Sequence, residues 1–122
     1  MSINLMICIL LPAIATVESN DNHMAVGDGG KAWGLYQLHM IAVKDVNQEY
    51  GRNYRPRDRY DKEKSKTIAY LYLRILAKRY EKKTGKKTTL EVLARCFNGG
   101  PNGWSKSSTK KYWQKIKAKL KK

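Results

Sequence analysis

Glu18 is the residue whose sequence setting points most directly to catalysis. It follows a nearly continuous apolar run from Ile3 to Ala15 and precedes a loop that contains Gly27-Asp28-Gly29-Gly30. Such a setting would withdraw the carboxyl group from water and favour its protonated form. A carboxyl that stays protonated near neutral pH can act as a general acid. The alternative is that Glu18 only ends a helix in contact with water, and hydrophobic periodicity alone favours this alternative.

The other residue types argue against several further kinds of site. His23 and His39 are the only two histidines, and they show no metal-ligand spacing with Cys8 and Cys96. The sequence contains no phosphate-binding loop of the GxxxxGKS/T type and no GxSxG nucleophile elbow. We therefore expect neither a metal nor a cofactor.

Composition and charge narrow the class of protein. The chain has 122 residues, is 42% hydrophobic and carries a formal net charge of +15. This length is typical of one domain with a hydrophobic core, and the apolar fraction argues against a disordered tail. The excess of cations predicts a polyanionic partner, which would be nucleic acid, an anionic membrane or an acidic cell wall.

The residues before Glu18 predict a buried helix. Ile7, Leu10, Leu11, Ile14 and Val17 recur at spacings of three and four, which indicates a helix that ends near Ser19 and that Pro12 either starts or kinks. A signal peptide is the lesser alternative. Ala13-Ile14-Ala15 resembles a cleavage site, but no basic residue precedes the run.

Four further helices follow from periodicity and from helix-ending glycines. They are predicted over Met40–Tyr50 before Gly51, roughly Lys64–Lys83 before Gly85, Leu90–Phe97 after a capping box at residues 88–91, and from near Thr109 onwards. No strand pattern of any length appears. The predicted fold class is mainly α, a compact helical domain.

Three short motifs resemble those of a known family. Glu18-Ser19, Gly34-Leu35-Tyr36-Gln37-Leu38 and Phe97-Asn98-Gly99-Gly100-Pro101 look like the ordered ES, GLMQ and AYNAGP motifs of lytic transglycosylases with the lysozyme-like fold. The segment GDGGKAWGLYQ is also similar to goose-type lysozymes, and Thr109-Lys110-Lys111-Tyr112-Trp113 resembles phage-type members. The resemblance runs from about Ile7 to about Ile116. It implies one lysozyme-like (goose-type/SLT) catalytic domain over residues 1–122.

The resemblance also implies roles for individual residues. Glu18 matches the catalytic acid, and Asp28 matches an aspartate that helps to hold water in goose-type enzymes. The residues implied in substrate binding are Ser19, Tyr36, Gln37, Tyr72 and Asn98, although Tyr70-Leu71 competes with Tyr72 for its alignment and Asn98 would equally suit a helix cap.

The chain departs from the family pattern at two positions. Phe97 replaces the tyrosine of the third motif, which removes a hydroxyl near the acid. The second goose-type aspartate would fall near His39. The fold would also bring Cys8 and Cys96 near each other, and we expect two buried thiols rather than a disulfide.

The expected function is cleavage of peptidoglycan glycan strands. A single-acid route suits a lytic transglycosylase that cuts the β-1,4 bond between N-acetylmuramic acid and N-acetylglucosamine and leaves 1,6-anhydro ends. If Asp28 holds a water, the enzyme would be a hydrolytic lysozyme instead. A non-catalytic cationic binder of wall, membrane or nucleic acid is the alternative from another class.

The partners and the place of action follow from the same resemblance and from the charge. We expect a monomer that acts on the bacterial cell wall, in the periplasm or outside the cell, with no nucleic-acid partner and with phage origin as a hypothesis. The segment from Lys106 to Lys122 has eight lysines and no acid. It would either bind anionic wall polymers or form a solvated helix face with a frayed end, and the sequence favours the two alternatives equally. Lys117 to Lys122 should be solvated.

Overall fold

The computed structural model describes residues 1–121, and Lys122 lies outside the described residues. This part of the chain contains five α-helices: α1 (Ile3–Ser19), α2 (Met40–Tyr50), α3 (Lys62–Thr84), α4 (Leu90–Gly99) and α5 (Lys110–Leu120). Two short strands, β1 (Val26–Gly27) and β2 (Ala32–Trp33), form an antiparallel pair. The predicted mainly α class is confirmed.

The chain divides into two compact units. The middle unit comprises residues 14–72, and the terminal unit comprises residues 1–13 and 73–121. Helices α1 and α3 each contribute residues to both units. None of the helices in residues 1–121 is both long enough and apolar enough to cross a membrane.

The middle unit contains the end of α1, a long loop, α2 and the start of α3. Its buried apolar residues come from the end of α1, the loop, α2 and the start of α3, and include Ile14, Leu38, Val43, Val46 and Ile68. Helix α2 has the predicted bounds, and Gly51 ends it in the left-handed conformation with φ 61°. The strand pair was not predicted, because two residues a strand are too few to show an alternating pattern.

In the terminal unit α4 packs against α5 and against the 3₁₀ turns Gly103–Ser105 and Ser107–Thr109. Ile7, Leu10, Leu76, Leu93 and Ile116 are fully buried. Arg95 is also buried. Its guanidinium donates to Thr109 Oγ1 at 2.8 Å, to the Lys106 carbonyl at 2.8 Å and to Glu91 Oε2 at 2.9 Å, so a charged fork joins α4 to the following turns.

The predicted capping box at residues 88–91 is wrong by one residue. The cap of α4 is Thr89, whose side chain accepts the Val92 N–H at 3.2 Å. Thr88 instead lies buried, with its N–H bonded to Glu81 and its hydroxyl unpartnered within the described part of the chain. Glu91 is engaged by Arg95. Adjacent threonines offered two caps, and burial of Thr88 selects the second.

The structure also corrects predictions about the start of α1, the burial of the cysteines and the end of the chain. Pro12 lies inside α1 and does not start it. Both cysteines are free, but only Cys96 is buried, and Cys8 is exposed. The segment expected to be solvated continues α5 as far as Leu120, with Lys117 and Leu120 half-buried.

Candidate active site

The end of α1 is fixed to the loop that carries the second motif. Glu18 lies half-buried in the last turn of α1. The hydroxyl of Ser19 donates to the Leu35 carbonyl at 2.7 Å, lies 3.1 Å from the Ala15 carbonyl and accepts the Asn22 N–H at 3.2 Å. Ser19 therefore joins the ES motif to the GLYQ motif, 16 residues further along the chain.

The chain reverses sharply after Ser19. Asn20 and Asp21 both adopt positive φ angles, 54° and 63°, which short polar side chains tolerate better than other non-glycine residues. The Asp21 carboxylate accepts from Thr16 Oγ1 at 3.3 Å. The turn is thus held on the same helix that carries Glu18.

Gly34 occupies a place in the loop that only glycine fits. Its φ is 86°, and a Cβ added there would lie 1.8 Å from the Arg59 carbonyl oxygen. Its N–H donates to the Ala25 carbonyl at 2.9 Å. The glycine of the GLYQ motif is therefore required by a close backbone approach as well as by its dihedral angle.

Gln37 turns its amide back into the loop. Its φ is 50°, and its Nε2 donates to the Gly34 carbonyl at 3.0 Å and to the Ala25 carbonyl at 3.2 Å. A Cβ added at Gly27 would lie 2.3 Å from Gln37 Oε1, so the glycine gives this side chain its room. The half-buried Gln37 thus braces the loop from inside.

Arg59 holds both ends of the same loop, and the sequence did not single it out. Its side chain is 2% exposed. Its Nη1 donates to the Leu38 carbonyl at 2.9 Å and to the Lys31 carbonyl at 3.2 Å, while Nε donates to the Pro56 carbonyl at 2.9 Å. Burial lowers the pKa of Arg59, but a guanidinium keeps its charge in proteins.

Trp33 forms an aromatic wall next to this arginine. Its ring stacks on Tyr60 with centroids 5.0 Å apart, and the Arg59 guanidinium lies 3.9 Å from its centroid. The indole N–H donates to the Gly30 carbonyl at 2.7 Å. Trp33, Arg59, His39 and the exposed Ile41 line a cavity of about 500 Å³, within the range of small-ligand sites.

Asp28 faces a histidine. Its Oδ2 lies 3.2 Å from His39 Nε2, and both side chains are exposed, at 66% and 44%. Asp28 sits at φ 49° in the Gly-rich turn between the two strands. No cluster of three or more His, Cys, Asp or Glu able to hold a metal occurs among residues 1–121.

Two tyrosines named by the resemblance are buried in the middle unit. Tyr36 and Tyr72 are each 6% exposed. Burial raises the pKa of Tyr36, and the negative charges of Glu63 and Asp21 raise it further. The Tyr36 hydroxyl is therefore neutral over the physiological range.

Asn98 belongs to the terminal unit. It lies exposed in the last turn of α4, which Gly100 caps at φ 86° by donating its N–H to the Cys96 carbonyl. Lys106 Nζ donates to the Gly99 carbonyl at 2.8 Å. Phe97 is half-buried. Burial raises the pKa of Cys96, whose sulfur lies 3.6 Å from the Pro101 carbonyl oxygen.

The structure thus brings together the residues of the first two motifs. Ser19 contacts the loop directly, while Gly34 and Gln37 shape it from within. Arg59 and the His39–Asp28 pair complete the surroundings of this loop in the middle unit. Arg59 sits in the basic run RNYRPRDRY, where the residue types alone predict exposure, so no sequence signal marked it.

Comparison with known proteins identifies the family. The family model described as "Transglycosylase SLT domain" matches residues 8–120. Comparison with curated proteins and with solved structures finds no match. The family match covers nearly the whole chain and includes all three motifs. The chain therefore belongs to the transglycosylase SLT domain family.

Proposed function

We propose that the protein is a lytic transglycosylase that cleaves the β-1,4 bond between N-acetylmuramic acid and N-acetylglucosamine and leaves 1,6-anhydro ends. Family membership implies a peptidoglycan-cleaving enzyme that acts on the cell wall. The specific bond, the product and the residue roles are our proposal. We further propose that residues 1–122 form one catalytic domain of a monomeric, phage-encoded enzyme that works in the periplasm or outside the cell.

Glu18 acts first as a general acid. Its carboxyl proton passes to the bridging oxygen, the C1–O4 bond breaks, and the N-acetylglucosamine unit leaves with a free 4-hydroxyl group. The muramyl C1 is then electron-poor. The oxygen of the substrate's own 2-acetamido group supports the positive charge at C1, so the step needs no second carboxylate from the protein.

Glu18 acts next as a general base. Its carboxylate removes the proton from the C6 hydroxyl of the same muramyl unit, and O6 bonds to C1 as the acetamido oxygen withdraws. The products are a 1,6-anhydromuramyl end and a regenerated Glu18 carboxyl. No water is consumed, and one residue carries the proton in both directions.

The observation that carries this proposal is the bond from the Ser19 hydroxyl to the Leu35 carbonyl at 2.7 Å. It fixes the helix turn that bears the half-buried Glu18 to the loop that bears Tyr36 and Gln37. A general acid must be held rigidly to reach one glycosidic oxygen, because small misplacements of catalytic groups cost large factors in rate. We propose that Ser19, Tyr36, Gln37, Tyr72 and Asn98 bind the glycan.

Hydrolysis is the second candidate, and the Asp28–His39 pair favours it. The histidine lies 3.2 Å from the carboxylate and can orient it at an exposed position. If Asp28 holds a water that attacks C1, the product is a reducing end. The absence of a second carboxylate at the His39 position leads us to prefer the transglycosylase.

Mass spectrometry of purified peptidoglycan after digestion and borohydride reduction tests the proposal. We expect anhydromuramyl ends, about twenty mass units below the reduced hydrolytic product, because the anhydro end lacks one water and cannot be reduced. Asp28→Asn should then keep the product and most of the rate. Fully reducible ends, together with loss of activity in Asp28→Asn, would establish hydrolysis instead.

A further inference from the structure

Helix α5 and the residue after it concentrate lysines at the surface of the terminal unit. Lys110, Lys111, Lys115, Lys119 and Lys121 are exposed, and Lys117 is half-buried. Within residues 1–121 none of these six lysines forms an ion pair with a carboxylate. No carboxylate side chain in this part of the protein therefore pairs with their charges.

The lysines at the start of α5 oppose the electrostatics of the helix, whereas Lys117 and Lys119 in its last turn suit the negative end of the helix dipole. The first turn of α5 contains Lys110 and Lys111 and no acidic residue, although the positive end of the helix dipole disfavours cations there. Lys111, Lys115 and Lys119, which we call the α5 lysine row, repeat at i, i+4, and like charges at this spacing repel. The place of Lys111 and the like-charge repulsion along the row disfavour the helix, so helix stability alone does not explain the row.

The opposite face of α5 is already occupied. Tyr112 and Ile116 are buried, and α5 packs on α4 and on the turn Ser107–Thr109. The helix has no free apolar face to insert into a lipid surface, as an interfacial helix would. Its two aromatic residues are Tyr112, which is buried, and Trp113, which is half-buried beside Met6 and Leu90. Proteins that hold single-stranded nucleic acid stack bases on exposed rings, which the α5 lysine row does not offer.

We propose that the α5 lysine row binds a phosphodiester-linked polymer carried by the cell wall. This inference rests on the proposed action on the wall and names a second wall component beside the glycan. Lysines bind phosphate as point charges, without the planar fork that arginine uses for bidentate recognition. Successive members of the row stand about 6 Å apart along the helix axis. Such a row suits a flexible chain of single charges that needs no fixed geometry.

A charge-matched pair of variants tests the proposal. The triple variant Lys111→Gln, Lys115→Gln, Lys119→Gln removes the row. The control variant Lys44→Gln, Lys62→Gln, Lys66→Gln removes three exposed lysines of the middle unit and leaves the same net charge. Binding is measured by co-sedimentation at several salt concentrations with walls that carry the phosphate polymer, the same walls stripped of it, duplex DNA, and anionic lipid vesicles.

We expect wild type to bind the intact walls best and to lose most of this binding on stripped walls. The row variant should lower the slope of log affinity against log salt by about two, while the control changes it by less than half as much. The row variant should also melt slightly higher than wild type, because it loses like-charge repulsion. Loss of binding together with gain of stability separates a binding role from a structural role.

Three outcomes would overturn the proposal. Equal losses in the two variants would assign the binding to overall charge. Undiminished binding to stripped walls would assign it to carboxylates of the peptidoglycan. Tighter binding to DNA or vesicles would assign the row to another class of polyanion. Cleavage of a short soluble glycan fragment is measured in parallel, so a failure of the proposed enzyme activity is seen independently of the binding result.

Discussion

The middle and terminal units differ sharply in charge. Residues 14–72 contain nine Lys and Arg and eight Asp and Glu, whereas residues 1–13 and 73–122 contain sixteen and two. Nearly all of the net charge of +15 therefore belongs to the terminal unit. The net charge that predicted a polyanionic partner is therefore a property of the terminal unit, while the middle unit is nearly neutral.

The second-motif loop of the middle unit and helix α5 of the terminal unit are held in different ways. In the middle unit the loop from Lys31 to Leu38 is held by side chains that donate to backbone carbonyls, from Ser19, Gln37 and Arg59. In the terminal unit α5 packs through buried apolar residues and turns its lysines outwards. In this loop the exact place of each donor matters, whereas at the α5 lysines only the charge matters. Variants of the loop should therefore lose stability or activity, and variants of the α5 lysines should lose binding.

The largest effect is expected from Glu18→Gln. The amide cannot deliver a proton, so the rate of wall lysis should fall by about a hundredfold to ten-thousandfold with the fold intact. Binding to intact walls should not change, because the charges of the terminal unit remain. Turbidity clearance and wall co-sedimentation measure the two properties, with Glu49→Gln, an exposed carboxylate on α2, as the control. A folded Glu18→Gln protein that clears walls at the wild-type rate would remove Glu18 from the mechanism.

Gly34→Ala should give the largest loss of stability. The added Cβ would meet the Arg59 carbonyl at 1.8 Å and would impose a positive φ on alanine. We expect a loss of about 3–4 kcal/mol in the free energy of unfolding. The control is Gly29→Ala, at φ 63° with no atom within 4 Å of the added carbon, which should lose about 1 kcal/mol. Similar losses in the two variants, measured by urea denaturation, would contradict the close approach at Gly34.

Arg59→Met tests the bracing of the loop by a charged side chain. Three carbonyls lose the hydrogen bond from Arg59, although that of Leu38 keeps the bond from the Trp33 N–H. We expect a loss of about 2–3 kcal/mol in the free energy of unfolding together with weaker catalysis. Arg59→Lys should recover little, since an ammonium group cannot reproduce the fork. Arg57→Met is the control, because Arg57 is exposed and lies with Arg59 in the 3₁₀ turn Pro56–Tyr60. The outcome against this role would be equal unfolding midpoints for Arg59→Met and Arg57→Met.

The sequence predicted the helices well because their signals are local. The bounds of α2 follow from its apolar spacing and from Gly51, and the end of α1 follows from a periodic stripe that stops at Ser19. The cap of α4 was misplaced because Thr88 and Thr89 have the same capping chemistry, and only burial distinguishes them. Local sequence patterns predict which helices form, whereas tertiary burial determines the residue at which a helix begins.

The bracing of the site could not be predicted in the same way. Arg59 bonds to carbonyls 21 and 28 residues away, and backbone acceptors leave no trace in residue types. His39 was noted as a histidine without metal-ligand spacing and as the place of a missing aspartate. Its contact with Asp28 depends on the fold of the hairpin that β1 and β2 form. The motifs predicted a chemistry, while the groups that hold the first two motifs in place became visible only in three dimensions.

The smallest expected effect is a loss of stability at alkaline pH that comes from the ionisation of Tyr36. Burial, aided by the negative charges of Glu63 and Asp21, raises the pKa of this phenol in the folded protein. The unfolded chain therefore ionises Tyr36 at a lower pH than the folded chain does. The resulting stability is fully present below the unfolded pKa, about 10, and is lost as the pH rises through the folded pKa.

We expect the unfolding midpoint of wild type to fall more steeply above about pH 10 than that of Tyr36→Phe, which has no proton to lose. From pH 7 to about pH 9 the unfolding midpoints of the two proteins should differ by a constant amount. This constant difference is the effect of losing the hydroxyl itself, and it is subtracted from the difference at higher pH. Parallel curves for wild type and Tyr36→Phe through the alkaline range would show that Tyr36 ionises alike in both states, and the second motif would then lie in a wetter setting than its burial indicates.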